Sequence, residues 1–285
     1  MRGFSDWLQR SRNNRALEDS GLPTISVLTC VYEGTSAPYF EEAWQSLRSQ
    51  AYSGMQWLVL AQGLISAELE SKLEDVAREA WVQVLRLPDN RGIIRGLRHC
   101  LDNATGEYVM VLDADDLLAP EALRILGRYA LRHGRPSLLY SDEDHYVNGQ
   151  SAAPYIRPDW DPVLALSTSY IWHICAMRRE RALELGVYGD IEAEWCQDWD
   201  SVLRFLQADD RIVHIPEILY HWRAHEASST NRANPESASL NSQRYVLNRF
   251  IQTKLDPELF AVQEFPIFRG ATEYWLCRLR HRPGC

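Results

Sequence analysis

The fold is decided by the stretch Tyr108-Val109-Met110-Val111-Leu112-Asp113-Ala114-Asp115-Asp116. Its first five residues are apolar, a pattern that predicts a short strand buried on both faces, as strands are inside parallel sheets. Three carboxylates follow within four positions. Because open α/β sheets bind their ligands at the carboxyl ends of the strands, these acids are predicted to lie at a ligand-binding edge.

Carboxylates crowded this closely repel one another, so a positive charge is expected among them. A set of oxygen ligands favours a hard divalent cation, Mg²⁺ or Mn²⁺, shared with a phosphate group. A plainer interpretation is a solvated acidic turn that caps the next helix, because Pro120 and Glu121 are typical of a helix start. The stretch alone leaves both interpretations open.

Strands and helices alternate around this stretch. Apolar runs predict strands at residues 25–31, 57–60, 82–87 and 108–112, and helical spacing predicts amphipathic helices at 40–47, 69–80 and 93–101. This order predicts an α/β fold with a doubly wound, mostly parallel sheet connected by right-handed crossovers. The second half is less regular, with short strands predicted at 138–140, 174–177 and 211–215, helices at 179–185 and 198–206, and an extended loop at Pro154, Pro158 and Pro162.

The chain is predicted to hold one continuous domain between two polar ends. Residues 1–21 are predicted to be an arm and residues 266–285 a basic tail. The domain, 22–265, divides into a regular first half, about 22–118, and a decorated second half, about 119–265.

Composition and charge narrow the classes of protein. The chain has 285 residues, with 46% apolar and 24% charged residues, which is ordinary for a globular protein. Its net charge of −9 argues against nucleic acid as a partner, because phosphate binding needs a basic surface. The six cysteines form no CxxC pair and no cysteine–histidine metal spacing, which favours a reducing compartment.

The sequence predicts a cytoplasmic location. The first residues lack the apolar core of a signal peptide, and no run approaches the roughly 18 apolar residues of a membrane span. Arginines cluster near both ends, at positions 2, 10, 12, 15, 269, 278, 280 and 282. They indicate either peripheral contact with the anionic inner face of the cytoplasmic membrane or ordinary solvated tails.

Several motifs in sequence order resemble glycosyltransferase family 2: Ile25 to Glu33, Asn90-Arg91-Gly92-Ile93, Ala104 to Tyr108, and Leu112 to Asp116. Downstream, the chain is similar to the branch that builds bacterial surface polysaccharides, at Tyr140 to Asp144, Gln197 to Asp200 and Tyr220 to Glu226. The resemblance covers roughly residues 23–230. It implies a GT-A fold and an inverting transferase that uses nucleotide sugars.

The resemblance implies that the first half, about 22–118, binds the nucleotide and that the second half, about 119–265, holds the acceptor and the catalytic base. It implies a nucleotide site at the end of the first strand. A carboxylate there, Glu33, can accept hydrogen bonds from ribose hydroxyls or a base N–H. The family's Asp-Asp-Gly-Ser segment after the second strand reads Ala61-Gln62-Gly63-Leu64 here, so the base-reading carboxylate is missing. The predicted nucleotide-binding residues are Thr29, Val31, Tyr32, Glu33, Gln62, Asn90, Arg95, Asp113 and Ala114.

The resemblance also implies a divalent cation, Mn²⁺ or Mg²⁺, and a catalytic base. Asp113 and Asp115 would hold the diphosphate and its cation, while Asp116 either completes the ligand shell or caps a helix. The family's late histidine ligand matches His225, with His221 in reserve. The base matches Asp198, with Asp200 in reserve and a role as helix N-cap as the plainer interpretation.

Two tryptophans flank the predicted base. Trp195 and Trp199 are predicted either to stack on an acceptor sugar or to pack in the core. The predicted partners are therefore a nucleotide-diphosphate sugar and a glycan or lipid-linked acceptor.

Other classes compete with the transferase. One alternative is a protein that binds nucleotide sugars without turnover. A less favoured one is a phosphatase of the haloacid-dehalogenase type, whose Asp-x-Asp signature usually follows the first strand and is followed by Thr or Val where this chain has Leu117. A processive synthase is disfavoured, because membrane helices and a Gln-x-x-Arg-Trp motif are absent from the sequence.

Overall fold

The computed structural model describes residues 21–224, 238–264 and 275–279. The predicted N-terminal arm, except Gly21, and most of the predicted basic tail lie outside these ranges, as does His225. Within the described part, no helix is both long and apolar enough to cross a lipid bilayer.

A nine-stranded sheet forms the centre of the described part. Its strands are β1 (Ile25–Val31), β2 (Met55–Gln62), β3 (Val82–Leu87), β4 (Tyr108–Val111), β5 (Leu117–Leu118), β6 (Leu138–Val147), β7 (Gln150–Tyr155), β8 (Cys175–Arg178) and β9 (Ile212–Arg223). A separate two-stranded sheet pairs β10 (Phe260–Glu264) with β11 (Trp275–Leu279).

The helices are α1 (Ala37–Arg48), α2 (Ala67–Val76), α3 (Ile93–Asn103), α4 (Ala122–Arg132), α5 (Pro162–Ala165), α6 (Arg179–Glu184), α7 (Gln197–Gln207) and α8 (Ala238–Lys254). A 3₁₀ turn at Ile191–Ala193 precedes α7.

The main sheet is mostly parallel, as the alternation of strands and helices predicts. Its order is β3-β2-β1-β4-β8-β6-β9-β5, with β7 paired to β6. The first four strands run parallel, β6 and β9 form a second parallel pair, and β8 and β5 run antiparallel to their neighbours. The carboxyl ends of β1, β2 and β4 consequently meet at one edge, where the acids after β4 lie.

The sheet separates two layers of apolar core. One layer contains apolar side chains of α3, α7 and α8, and the other contains those of α1, α2 and α4. Strand β4 serves both, because Val109 points into the first layer and its neighbours Tyr108 and Met110 into the second, all three with no exposed surface. The prediction of a strand buried on both faces is confirmed.

The second half departs from prediction in two strands that run longer than expected. We expected β6 to end before Asp142 and β9 to end near Ile215, but the two pair with each other from Leu138 opposite Ile212 to Tyr146 opposite Arg223. The acids of β6 are buried inside this pairing. The loop predicted around Pro154 also begins as strand β7, which is tolerated because a proline at a sheet edge loses no internal hydrogen bond.

Candidate active site

The acids that follow β4 lie against strand β9. Asp116 is buried, and its Oδ1 accepts a hydrogen bond of 2.7 Å from the backbone N–H of Arg223. Its Oδ2 accepts one of 2.7 Å from the hydroxyl of Tyr220, and that hydroxyl accepts the backbone N–H of Asp113 at 3.2 Å. Helix α4 begins after Glu121, so Asp116 anchors the acidic turn to β9 and does not cap the next helix.

A histidine that sequence reasoning missed completes this group. Ligand atoms of Asp113, Asp116 and His173 all lie within 4.8 Å of one another. The imidazole Nε2 of His173 is 3.8 Å from Asp113 Oδ2, and its ring stacks on that of Tyr220 with centroids 4.4 Å apart. His173 lies in the segment before β8, where the sequence carries no recognisable motif.

A second acidic segment, residues 142–144 on β6, contacts His173 through Glu143. Glu143 is buried on β6, and its Oε2 lies 3.2 Å from His173 Nδ1 and 3.0 Å from Arg157 Nη2. Burial alone would lower the pKa of His173, but the hydrogen bond and charge of Glu143, with the charges of Asp113 and Asp116, raise it to about 9. In this arrangement His173 carries a positive charge among three acids at neutral pH.

The pKa values of the acids show how strongly they are crowded. Desolvation raises the pKa of Asp113, and repulsion by Asp115 and Glu143 raises it further, although 46% of its side chain is exposed to solvent. Burial and the charge of Asp113 raise the pKa of Asp116 well above its usual range. Carboxylates in this state gain from a bound cation, and carboxylate oxygens are the donors that fit Mn²⁺ or Mg²⁺. The imidazole of His173 becomes a donor only when it loses its proton.

The other predicted metal ligands that the structure describes, Asp115 and His221, are not members of this compact group. Asp115 is half-buried, and its backbone carbonyl accepts a hydrogen bond of 2.6 Å from Arg223 Nε. His221, the reserve ligand, contacts the carboxylate of Asp144 through its Nδ1 and is not in the compact group. His225 lies outside the described residues.

The predicted base belongs to the same electrostatic environment as the acids. Asp198 lies in the first turn of α7, after the N-cap residue Cys196, so the N-cap interpretation is wrong. Burial raises the pKa of Asp198 to about 6, with the charges of Asp113 and Glu143 adding to the increase and that of His173 opposing it. Its carboxylate accepts a hydrogen bond of 3.3 Å from Gln197 Nε2.

Asp200, the reserve base, contacts two arginines of the helix packing. Asp200 is buried, and its Oδ2 accepts a hydrogen bond of 2.7 Å from Arg204 Nε, while its Oδ1 contacts Arg249 on α8. These ion pairs assign Asp200 to the packing of α7 against α8.

The predicted nucleotide edge shows a division between buried and exposed residues. Thr29 is fully buried, and its hydroxyl donates to the carbonyl of Leu112 at 2.7 Å and accepts the indole N–H of Trp57 at 2.9 Å. Val31 is also fully buried, whereas Tyr32 is 50% exposed and Glu33 is exposed. Thr29 thus joins β1 to the end of β4, and the accessible side chains of this edge are Tyr32 and Glu33.

Gln62 holds the next loop in place. Its Oε1 accepts the backbone N–H of Arg91 at 3.2 Å, and its Nε2 donates to the carbonyl of Gly92 at 3.3 Å. The side chains of Asn90 and Arg95 remain exposed on this side. Gln62 therefore occupies the place of the missing carboxylate as a loop-binding amide.

A model of glycosyl transferase family 2 matches residues 26–186, which is more than half of the chain. The chain belongs to glycosyl transferase family 2. It is 32% identical over 212 residues to the O-antigen biosynthesis protein RfbC of Myxococcus xanthus, and 30% identical over 219 residues to the uncharacterized protein y4gI of Sinorhizobium fredii. These matches cover 74% and 75% of this chain, but the chain spans only 16% and 24% of the length of those two relatives.

Solved structures share the fold of this chain. The crystal structure of S. aureus TarS 1-349 in complex with UDP-GlcNAc superposes with a TM-score of 0.67, at 17% sequence identity, covering 82% of this chain and 68% of that one. The predicted GT-A fold is confirmed by this likeness together with the family match.

The two tryptophans beside the base of this family 2 protein have different environments. Trp199 is 2% exposed, and its indole N–H donates to the carbonyl of Ala165 at 2.6 Å. Its predicted stacking on an acceptor sugar is therefore wrong, because the ring is part of the core. Trp195 is 61% exposed, so the acceptor prediction stays open for Trp195 alone.

A second residue missed from the sequence is Glu194. Its carboxylate accepts the backbone N–H groups of Ile93 at 2.7 Å and Ile94 at 3.2 Å, at the start of α3. Gly92 precedes them with φ of 85°, and a Cβ there would lie 2.5 Å from Glu194 Oε1. Only a glycine fits, and the contact ties the segment before Asp198 to the helix beside the predicted nucleotide edge.

Proposed function

We propose that this protein is an inverting, divalent-metal-dependent glycosyltransferase that moves a single sugar from a nucleotide-diphosphate sugar to a glycan acceptor. The observation that carries the proposal is the compact group of Asp113, Asp116 and His173 at the carboxyl end of β4, whose ligand atoms lie within 4.8 Å of one another. The pKa of Asp198, which the charge of Asp113 helps to raise, supports a base in the same environment. Transfer with inversion needs these two functions on opposite sides of the sugar's anomeric carbon.

The cation is proposed to bind at Asp113 and Asp115, with Asp116 and His173 as further candidates from the compact group. When bound, a divalent cation neutralises the negative charge that develops on a departing diphosphate. Asp116 already accepts two hydrogen bonds, so its contribution is to hold the acidic turn in place. The side chain of Asp113 is 46% exposed, so it is accessible to an incoming donor.

Asp198 is proposed to act as the general base. As the acceptor hydroxyl attacks the anomeric carbon, its proton passes to the Asp198 carboxylate and a new C–O bond forms. The bond between that carbon and the phosphate oxygen breaks, and its electron pair leaves with the nucleoside diphosphate. A pKa of about 6 keeps Asp198 ionised at neutral pH while leaving it basic enough to accept the proton.

The donor is proposed to lie along Tyr32, Glu33, Asn90 and Arg95. Glu33 can accept hydrogen bonds from ribose hydroxyls, and Arg95 can reach phosphate oxygens. Uridine nucleotides are the first to test, because the TarS structure of the same fold was determined with UDP-GlcNAc.

The acceptor is proposed to be a glycan or lipid-linked saccharide of a bacterial surface polysaccharide. The support is the likeness to RfbC, which is named an O-antigen biosynthesis protein. The enzyme would then work in the cytoplasm, in peripheral contact with the inner face of the membrane where lipid-linked acceptors lie.

The deciding experiment measures the release of nucleoside diphosphate from a panel of nucleotide sugars. Each is incubated with the protein and Mn²⁺ or Mg²⁺, with and without saccharide acceptors. The proposal expects one donor to be consumed in a metal-dependent way, with faster release when an acceptor is present. Metal-dependent nucleotide binding without turnover would instead favour the binding protein, and hydrolysis of simple phosphomonoesters would favour a phosphatase.

A further inference from the structure

An aromatic pair lies beside the acids, and the transfer step described above does not use it. The rings of Tyr155 and Trp172 stack with centroids 5.3 Å apart and planes inclined by 19°. Tyr155 is 39% exposed at the end of edge strand β7, and Trp172 is half-buried in the segment before β8. Exposed stacked aromatic rings at a sheet edge are the kind of amphipathic surface that binding sites use.

A buried arginine contacts both rings of the aromatic pair. The guanidinium carbon of Arg157 lies 5.0 Å from the ring centroid of Tyr155 and 5.7 Å from that of Trp172. Arg157 is itself only 3% exposed, and it donates to the carbonyls of Tyr170 at 2.6 Å and Ser141 at 2.7 Å. Because these hydrogen bonds fix the guanidinium of Arg157, its contacts with the two rings hold the rings in one orientation.

The same arginine joins the aromatic pair to the candidate active site. Tyr155 lies opposite Glu143 in the β6–β7 pairing, and the ion pair between Arg157 and Glu143 is 3.0 Å long. Glu143 contacts His173, which follows Trp172 directly in the chain. The aromatic pair therefore lies next to the acids that surround the proposed metal site.

We propose that the Tyr155–Trp172 pair is the platform on which a sugar ring of the acceptor stacks. This inference rests on the proposed glycosyltransferase function. A pyranose presents a face of C–H groups and an edge of hydroxyls, which matches a ring face bordered by polar groups. All six residues of β7 are exposed, so the strand that carries Tyr155 leaves this side of the sheet open to a sugar.

The size of the surface favours a sugar over a larger partner. Protein and membrane contacts use contiguous apolar patches of several hundred Å². Tyr155 is 39% exposed and Trp172 is half-buried, so the accessible surface of the two rings is small and suits one pyranose.

The test uses methyl glycosides of hexoses and N-acetylhexosamines as probes, because the natural acceptor is unidentified. Saturation-transfer NMR detects which sugar protons contact the full-length protein, and titration gives the dissociation constant. Tyr155→Ala is expected to weaken binding by about threefold to tenfold, and Tyr155→Phe to retain it, because stacking needs the ring face and not the hydroxyl. Trp172→Phe, which keeps an aromatic ring at this half-buried position, is expected to weaken binding by less.

Tyr245→Ala is the matched control. Tyr245 is 37% exposed on α8 and has an arginine over its ring, with Arg249 at 5.8 Å, as Tyr155 does. Its loss is expected to leave glycoside binding unchanged. Equal binding in wild type and Tyr155→Ala, the absence of any contact with the panel, or a loss of contact on Trp195→Ala in place of Tyr155→Ala would each overturn the proposal.

Binding of UDP with Mn²⁺ to the same variants, measured by calorimetry, separates this inference from the proposed function. The platform predicts unchanged UDP binding in Tyr155→Ala. A wild-type protein that binds glycosides through Tyr155 but fails to bind or turn over any nucleotide sugar would contradict the transferase while leaving the sugar platform intact.

Discussion

The imidazole of His173 lies 3.2 Å from the carboxylate of Glu143, so a single ring on the segment before β8 links the acids of β6 to those that follow β4. Its other nitrogen faces Asp113 at 3.8 Å. The positive charge that crowded acids require is thus supplied within the chain before any cation binds.

We expect His173→Gln to destabilise the fold. Loss of a buried hydrogen bond to a charged group costs about 1–3 kcal/mol, and Glu143 would then have Arg157 as its charge partner. Chemical denaturation would measure the free energy of unfolding. The control is His99→Gln on α3, which is expected to change stability by less than about 0.5 kcal/mol. Equal stabilities for the two variants would contradict the role of His173.

Asp198→Asn is expected to abolish transfer, keep donor binding and stabilise the protein. The folded-state pKa of about 6 exceeds the ordinary value of 3.8, so folding favours the protonated carboxyl, and the ionised form at neutral pH is destabilising. A neutral amide removes up to about 3 kcal/mol of this destabilisation above pH 6. Thermal melts at pH 7.5 and donor calorimetry would measure the two effects.

Asp200→Asn, two residues away, should do the opposite to stability. It leaves Arg204 and Arg249 with one buried partner fewer, a change that costs about 3–5 kcal/mol. If both variants shifted the melting temperature in the same direction, the assignment of Asp198 to the site and Asp200 to the helix packing would fail.

The rate of transfer should depend on pH through Asp198. Because the base must be ionised, kcat is expected to fall below a midpoint at or under about pH 6, tenfold for each pH unit. A bound cation would move the midpoint lower by favouring the carboxylate. A rate that stays flat from pH 7 to pH 4.5 in a protein that remains folded would rule out Asp198 as the base.

Strands β1, β2 and β4 were predictable because they are largely buried on both faces, which requires apolar runs such as residues 108–112. The same rule failed for β6, where Asp142, Glu143 and Asp144 would be expected in a loop. Their carboxylates instead contact His214, Arg157 and His221, which are distant in sequence. Local patterns cannot indicate partners that only the folded chain brings together.

The candidate site shows the same limit. Asp113, Asp115 and Asp198 were identified because the family's motifs contain them. His173 and Glu194 make their contacts with residues distant in sequence, and both lie in segments without a motif or a helical or strand pattern. Trp199 was ambiguous because an aromatic residue beside a base can equally face the core or a ligand.

Removal of the metal is expected to remove the activity. Treatment with EDTA should abolish sugar transfer, and added Mn²⁺ should restore it, because the departing diphosphate needs its charge neutralised. Asp113→Asn and Asp115→Ala should lower activity at least about 100-fold, with no rescue by excess metal. Asp102→Ala, which removes a surface ion pair with Arg98, is the control and should retain activity. Full activity of Asp115→Ala without added metal would count against the site.

The contact between Glu194 and the start of α3 is expected to position the catalytic base. A glutamine side chain at this position could accept only one of the two backbone N–H groups well, because its amide carries a single acceptor oxygen. Glu194→Gln should therefore cost about 1 kcal/mol of stability and lower kcat more than it raises the donor KM. Glu192→Gln, at an exposed position in the same segment, is the control.

A pair of glycine variants separates this positioning effect from backbone strain. Gly92 and Gly134 both have positive φ, 85° and 70°, so alanine strains the backbone at either position. A Cβ at Gly134 meets nothing within 4 Å, whereas one at Gly92 would lie 2.5 Å from the Glu194 carboxylate and displace it. We therefore expect both variants to lose stability, Gly92→Ala more because its φ of 85° and ψ of 175° are essentially restricted to glycine, and kcat measured at matched donor saturation to fall in Gly92→Ala alone. Equal kcat values in the two variants would show that the segment before Asp198 is held in place without Glu194.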